Sequence, residues 1–588
     1  MTKNASLYRF FSVADGLFAA MLKIICAKAK DVVILHSANS ALSVDGTIKA
    51  PEKREKGKAL RHKKEEKRKG KRKRQDKTKQ GKAKAQKKHR KRKEKTKQEN
   101  KPTMSENRNK KGELLKKRPS AVLSLMPIAV LVIMLIATIK AFGSDALSGA
   151  SQITLLTVSA LCVLIGMGYL NVPWASFEKA ITKNVASVSS ALVILLLIGA
   201  LGGTWMVSGV VPTLIYYGVQ TIHPDIFLAS TCAICALVSV MTGSSWTTIA
   251  TIGIALMGIG RAQGFGDGWV AGAIISGAYF GDKISPLSET TTLASGSLGV
   301  PLFKHIRYML VTTVPSMVIT LILFSVAGLL YDTSGSQDIE TFTRALDGRF
   351  NITPWLLLVP VLTGVLIARR TPPVITLFLS ALMSVVAGLV FQEGVLSDID
   401  PSLFKASMIS LYGSTSVHTD SAMLTDLVAT RGMGGMMSTI WLIVCAMCFG
   451  GTMAAAGMVG GITRLFIHLI KGRTSLVGCT AATGLMLNVA IADQYLCILL
   501  TGNMFKDVYD REGYERRLLS RTTEDSVTVT SVLVPWNTCG MTQSTVLGVP
   551  TFTYLPFCFF NIISPIMSVV VAALGYKIFK CDNVEVEE

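Results

Sequence analysis

The chain has 588 residues, 49% of them apolar and 17% charged, with a mean hydropathy of +0.43. That balance is too apolar for an ordinary soluble protein of this length and puts the chain in the membrane class. The formal charge of +24 does not mark a nucleic-acid binder: residues 51–118 hold 33 Lys/Arg against 9 Asp/Glu, which leaves the rest of the chain neutral.

In chain order, the run Phe10–Ala27 is apolar but interrupted by Asp15 and lacks a small-residue cleavage site, so it does not read as a signal peptide. Residues 1–118 read as a disordered, basic extension, because Lys, Arg, Glu and Gln cannot bury enough apolar surface to offset the entropy of ordering. Met104 opens a short basic leader that runs into the first helix and is a candidate natural start. Residues 119–330 and 354–580 read as two membrane repeats, 331–353 as an acid-biased extracytoplasmic linker and 581–588 as a cytoplasmic tail. Runs such as Ala121–Phe142, Ile153–Leu170, Met309–Leu330 and Trp355–Ala368 predict an all-α polytopic fold with about 10–12 crossings, broken or re-entrant helices included. The CxxC pairs Cys232/Cys235 and Cys445/Cys448 sit in apolar helical sequence without a nearby His and read as packing residues. His223, His305, His418 and His468 fall near helix ends or linkers, where pH sensing is open to them.

The two halves repeat. Gly202-Gly203-Thr204 with Gly209 recurs as Gly450-Gly451-Thr452 with Gly457, and Leu298-Gly299-Val300-Pro301 recurs as Leu547-Gly548-Val549-Pro550. The same displacement pairs Gly253 with Gly502, Gly264 with Gly513 and Pro286 with Pro535. Basic residues favour the cytoplasmic side of short loops. Lys116-Lys117-Arg118 precede the first helix of half one, and Lys179 and Lys183 follow its second. In half two, Arg369-Arg370 follow the first helix and Glu393, Asp398 and Asp400 the second. Charge therefore predicts inverted repeats with both termini cytoplasmic, Lys577 and Lys580 included.

Each half carries a Pro-centred polar motif inside apolar sequence, at 276–292 and 525–540. Proline removes a backbone donor, and irregular backbone at membrane depth is tolerated where it is buried in protein or lines a wet cavity. Gly281, Pro286, Pro535 and Gly540 read as structural helix breaks. An Asp at the bilayer centre costs about 2.5–3.5 kcal/mol, so intramembrane carboxylates need a partner or a task. Asp282, Glu289 and Asp525 are the first candidates, and Asp493 the next, since the repeat sets it opposite Ser244. With Ser245, Ser288, Thr290, Asn537 and Thr538 they offer the hard oxygen ligands that a monovalent cation needs. A buried carboxylate can also take a proton in the cation's place, which is the chemical requirement of exchange. Plainer alternatives stand beside this: Lys283 could pair with Asp282, and Glu524 and Asp525 could lie at the cytoplasmic interface beside Arg521.

The string Gly281-Asp282-Lys283-Ile284-Ser285-Pro286-Leu287-Ser288-Glu289-Thr290-Thr291 resembles the signature of the NhaC family of sodium/proton antiporters. Glu524-Asp525-Ser526 with Pro535-Trp536-Asn537-Thr538-Cys539-Gly540 resembles its second motif. The family more usually has Asp where this chain has Glu289. The resemblance covers roughly 119–580 and implies a multi-pass transporter of the bacterial cytoplasmic membrane that exchanges Na⁺ for H⁺ by alternating access. Li⁺ and K⁺ are admissible cations, a homo-oligomer is compatible with the sequence, and no cofactor or nucleic acid is expected. The alternative is ion-coupled exchange of a small organic anion or amino acid, of the malate/lactate type, its carboxylate held at the half-helix N-terminus near Asn537. An enzyme or ATP-driven pump is disfavoured, since neither an HExxH motif nor a Gly-Lys-Ser/Thr phosphate loop occurs.

Overall fold

A computed structural model describes residues 119–142, 149–331, 339–417, 425 and 428–580. The basic extension with Met104, His418 and the tail 581–588 lie outside the described residues. Half one comprises α1 (Ala121–Phe142), α2 (Ala150–Gly168), α3 (Trp174–Ser187), α4 (Ser189–Val207), α5 (Val210–Thr221) and α6 (Pro224–Thr242). It continues with α7 (Ser245–Thr248, then a π-helical turn Ile249–Gly253 and Ile254–Ala262), α8 (Asp267–Ile284), α9 (Glu289–Ser297) and α10 (Leu302–Leu330). After α11 (Ile339–Arg349) in the linker, half two comprises α12 (Leu358–Ala368), α13 (Pro373–Phe391), α14 (Glu393–Ile399), α15 (Leu403–Tyr412), α16 (Met437–Ala455) and α17 (Met458–Ile467). It ends with α18 (Arg473–Ile491), α19 (Gln494–Arg511), α20 (Arg516–Thr523, running into a π-helical turn Glu524–Thr528), α21 (Thr538–Leu547) and α22 (Phe559–Leu574).

Among the described residues, 8 helices are long and apolar enough to cross a bilayer, and two bent helix pairs raise that to 10. The chain is thus an all-α polytopic membrane protein, and α1 coincides with its sequence-predicted run. Val122, Ile133, Leu164, Leu329 and Phe404 lie open on the surface, as a lipid-facing side requires.

The backbone repeats as the sequence does. Gly209 and Gly457, Gly264 and Gly513, and Gly299 and Gly548 all take left-handed conformations. The packing is reciprocal as well: α4 of half one lies against α13 and α15, while α16 of half two lies against α2 and α3. One apolar core gathers Leu197–Tyr279 with Leu377 and Val529–Phe560, and a second joins Ile128–Leu195 to Leu442–Met541. Each core therefore draws on both halves, which brings the interrupted helices of each half to a shared centre.

Candidate functional site

Each half interrupts two helices, and each interruption has a local cause. After α6 the chain turns at Gly243, whose left-handed φ of 67° costs glycine least. A Cβ there would lie 2.6 Å from Leu287 Cβ, so the end of α6 touches the gap that follows α8. In half two, α18 turns at Ala492 with φ 63° in the same register. Pro286 lies in the gap between α8 and α9, and Pro535 in the gap before α21.

Every helix that restarts is capped by a side-chain oxygen. Ser244 Oγ accepts from Thr247 N (3.2 Å), Ser288 Oγ from Thr291 N (3.3 Å), Asp493 Oδ1 from Leu496 N (2.8 Å) and Asn537 Oδ1 from Cys539 N (3.1 Å). Such caps satisfy orphan amides at the helix start, where the macrodipole is positive. Thr538 N also donates to Ala492 O at 2.9 Å, joining the two interruptions of half two.

The four interruptions open on one cavity of about 420 Å³. Half one contributes Ser244, Ser245, Asp282, Glu289 and Thr290, and half two contributes Asp493 and Thr538. Each carboxylate meets a helix N-terminus. Asp282 Oδ2 accepts from Ser245 Oγ (2.8 Å) and Ser245 N (3.2 Å) at the start of α7. Glu289 is the first residue of α9, where its Oε2 accepts from Tyr495 Oη at 3.0 Å, and Asp493 caps α19. Asp282 and Asp493 are buried while Glu289 is exposed. The arrangement gathers three carboxylates and several hydroxyls into one oxygen-rich space held by helix ends.

Seven of the ten sequence-predicted ion-site residues thus line one cavity. Ser288 and Asn537 stand just behind it as caps. Asp525 does not line it: it pairs with Lys283, and Lys283 therefore pairs with Asp525 rather than with Asp282. Gly281 and Gly540 are corrections, because both lie inside helices rather than at breaks. A Cβ at Gly281 would lie 2.4 Å from Ala236 O, and one at Gly540 would lie 2.1 Å from Val534 O, so close packing is their task. Sequence reasoning missed Tyr495, Gln494 and Arg370 on the cavity wall. The polar string Asp493-Gln494-Tyr495 was a signal for the first two, whereas Arg370 had been read only as a topology marker.

Repeat-related contacts are chemically reversed between the halves. Asp282 accepts from Ser245 in half one, whereas at the equivalent positions Ser531 Oγ donates to Gln494 Oε1 at 3.2 Å. One half holds a charge where the other holds a neutral pair.

A polytopic helical protein whose broken helices enclose a carboxylate-lined cavity at the junction of two repeated halves is a secondary transporter by architecture. The sequence model of the Na⁺/H⁺ antiporter family matches residues 81–265 and 277–576, and the chain belongs to that family. It is 37% identical over 425 residues to the Na⁺/H⁺ antiporter NhaC of Alkalihalophilus pseudofirmus, covering 72% of this chain and 90% of that one. It is 36% identical over 434 residues to a malate-2H⁺/Na⁺-lactate antiporter of Bacillus subtilis, covering 74% of this chain and 91% of that one. With the arginine/ornithine antiporter ArcD of Halobacterium salinarum it shares 33% identity over 483 residues, 80% of this chain and 96% of that one.

Proposed function

We propose that the chain exchanges Na⁺ for H⁺ across a bacterial cytoplasmic membrane, with both termini cytoplasmic and the two halves acting as inverted repeats that rock around the cavity. The observation that carries this reading is that the carboxylates of Asp282, Glu289 and Asp493 meet three helix N-termini around one cavity. Carboxylates and the hydroxyls of Ser244, Ser245, Thr290 and Thr538 are hard oxygen donors suited to Na⁺. A proton on a carboxylate removes the charge that holds the cation, so the two occupants compete for one site. Alternating exposure of that site turns competition into antiport. Relatives named as Na⁺/H⁺ antiporters support this choice of ions.

A second reading, exchange of a small organic ion, draws on the cavity's volume, which falls in the range of small-molecule pockets. The α21 N-terminus is not free to hold such a ligand, because Asn537 and Ala492 O already take the Cys539 and Thr538 amides. The deciding experiment uses everted vesicles energised to a pH gradient and a pH-sensitive dye. Na⁺ should collapse the gradient, and Li⁺, K⁺, malate and lactate serve as comparisons. Collapse by an organic acid but by none of the cations would sink the Na⁺/H⁺ reading.

A further inference from the structure

Behind the cavity lies a second cluster of charge that the exchange reading does not use. Lys283, Arg521, Glu524 and Asp525 are each 0% exposed. Lys283 Nζ donates to Asp525 Oδ1 and to Ser564 Oγ (2.9 Å), and Thr312 Oγ1 donates to the same Asp525 oxygen at 3.1 Å. The rest of the cluster is only partly paired. Arg521 stacks 4.4 Å from the Tyr308 ring centroid, yet among the described residues none of its side-chain nitrogens has a hydrogen-bond acceptor. Glu524 has Thr528 as its side-chain neighbour one turn on but no ion-pair partner among the described residues, and Asp525 Oδ2 lies 3.8 Å from Arg521 Nε. The charged groups around Glu524 are Lys283, Asp282 and Asp525.

Unpaired buried charge is costly, so each such group calls for an explanation, and a second arrangement that pairs it is one. Here that arrangement can be read from the chain. Arg521 and Asp525 are four residues apart, the spacing at which helical side chains meet, and their closest atoms are already within ion-pair range. Glu524 is the residue before Asp525, and both lie in the π-helical turn of α20. A π-turn holds one residue more than an α-turn, so its migration along a helix rotates neighbouring side chains past one another. Such a shift would bring Glu524 to Lys283 and release Asp525 to Arg521, satisfying all four groups. Lys283 lies beside Asp282 at the end of α8, in half one, while the other three lie on one helix of half two.

We propose that Lys283 exchanges Asp525 for Glu524 as the transporter changes conformation, so that the four residues couple movement of α20 to the position of Asp282. The proposal rests on the transporter reading but not on which solute is carried. Lys283, Arg521, Glu524 and Asp525 are positioning residues in this scheme, acting through Asp282.

The test is Glu524→Gln, purified and reconstituted beside the wild type. Glu524 makes no ion pair in the present state, and Gln can still meet Thr528, so the variant should fold and keep its Tm. Binding of ²²Na⁺ to the detergent-purified variant should stay within about threefold of wild type, while maximal Na⁺-driven flux in proteoliposomes falls at least about tenfold. Glu524→Asp, which keeps the carboxylate, should recover most of that flux. Flux at the wild-type rate overturns the proposal. So does failure to fold or a lowered Tm, which would give Glu524 a structural task, and so does loss of ²²Na⁺ binding, which would place it in the ion site. Absence of Na⁺-driven flux in the wild type would count against the Na⁺/H⁺ reading instead, and the variant is then compared on the solute the wild type carries.

Discussion

At the scale of single residues, the two halves use one geometry with unequal chemistry, and that inequality assigns the work. Asp282 is held by two donors from Ser245, whereas its counterpart Ser531 is held by the amide of Gln494. A neutral pair can complete a cation site but cannot exchange charge with it. Asp282→Asn should therefore abolish Na⁺-dependent proton flux while membrane insertion is unchanged. Unaltered flux in vesicles would remove Asp282 from the site. Tyr495 gives a graded test, because its hydroxyl donates to Glu289 at 3.0 Å. A hydrogen bond of this kind contributes about 0.5–1.5 kcal/mol, so Tyr495→Phe should move the Na⁺ KM by about two- to tenfold with little change in maximal rate. An unchanged KM would show that the Tyr495 contact does not tune the site.

At the scale of elements, the four interruptions are fixed by caps and close approaches whose costs differ. Ser288→Ala removes one side-chain cap and should cost about 1 kcal/mol, read as a modest fall in Tm. Gly243→Ala should cost more, since a left-handed Ala costs about 1–2 kcal/mol before the 2.6 Å approach to Leu287 is relieved. A Tm loss for Gly243→Ala no larger than that for Ser288→Ala would contradict the contact between the two gaps. Much of this was legible in the sequence. Pro286 and Pro535 marked real gaps, and the repeat displacement paired Ser244 with Asp493, both now seen as caps. Gly281 and Gly540 were misread because a glycine at a break and a glycine packed tightly on backbone inside a helix look alike until Ala236 O or Val534 O is in place. Asp525 was misplaced for a related reason. A carboxylate in a Pro-broken apolar motif reads alike whether it lines a cavity or meets a buried cation, and Lys283 of the other half comes beside Asp525 only in the fold.

At the scale of the whole molecule, reciprocal packing and recurring left-handed turns relate the halves, but they do not say which way each half lies in the bilayer. Orientation follows from charge alone. Lys179 and Lys183 follow the second helix of half one, and Glu393, Asp398 and Asp400 follow the second helix of half two. Since basic loops stay cytoplasmic, these equivalent segments should face opposite sides of the membrane. Exposed positions exist to test this: Lys179 and Ser397 both lie open, and eight of the nine described cysteines are buried. With Cys26 and Cys581 replaced by Ser, a membrane-impermeant thiol reagent applied to intact cells should label Ser397→Cys and leave Lys179→Cys unlabelled. In everted vesicles the pattern should reverse. Labelling of both positions from one face would make the halves parallel, and the rocking of inverted repeats would then have to give way to another route between the two sides.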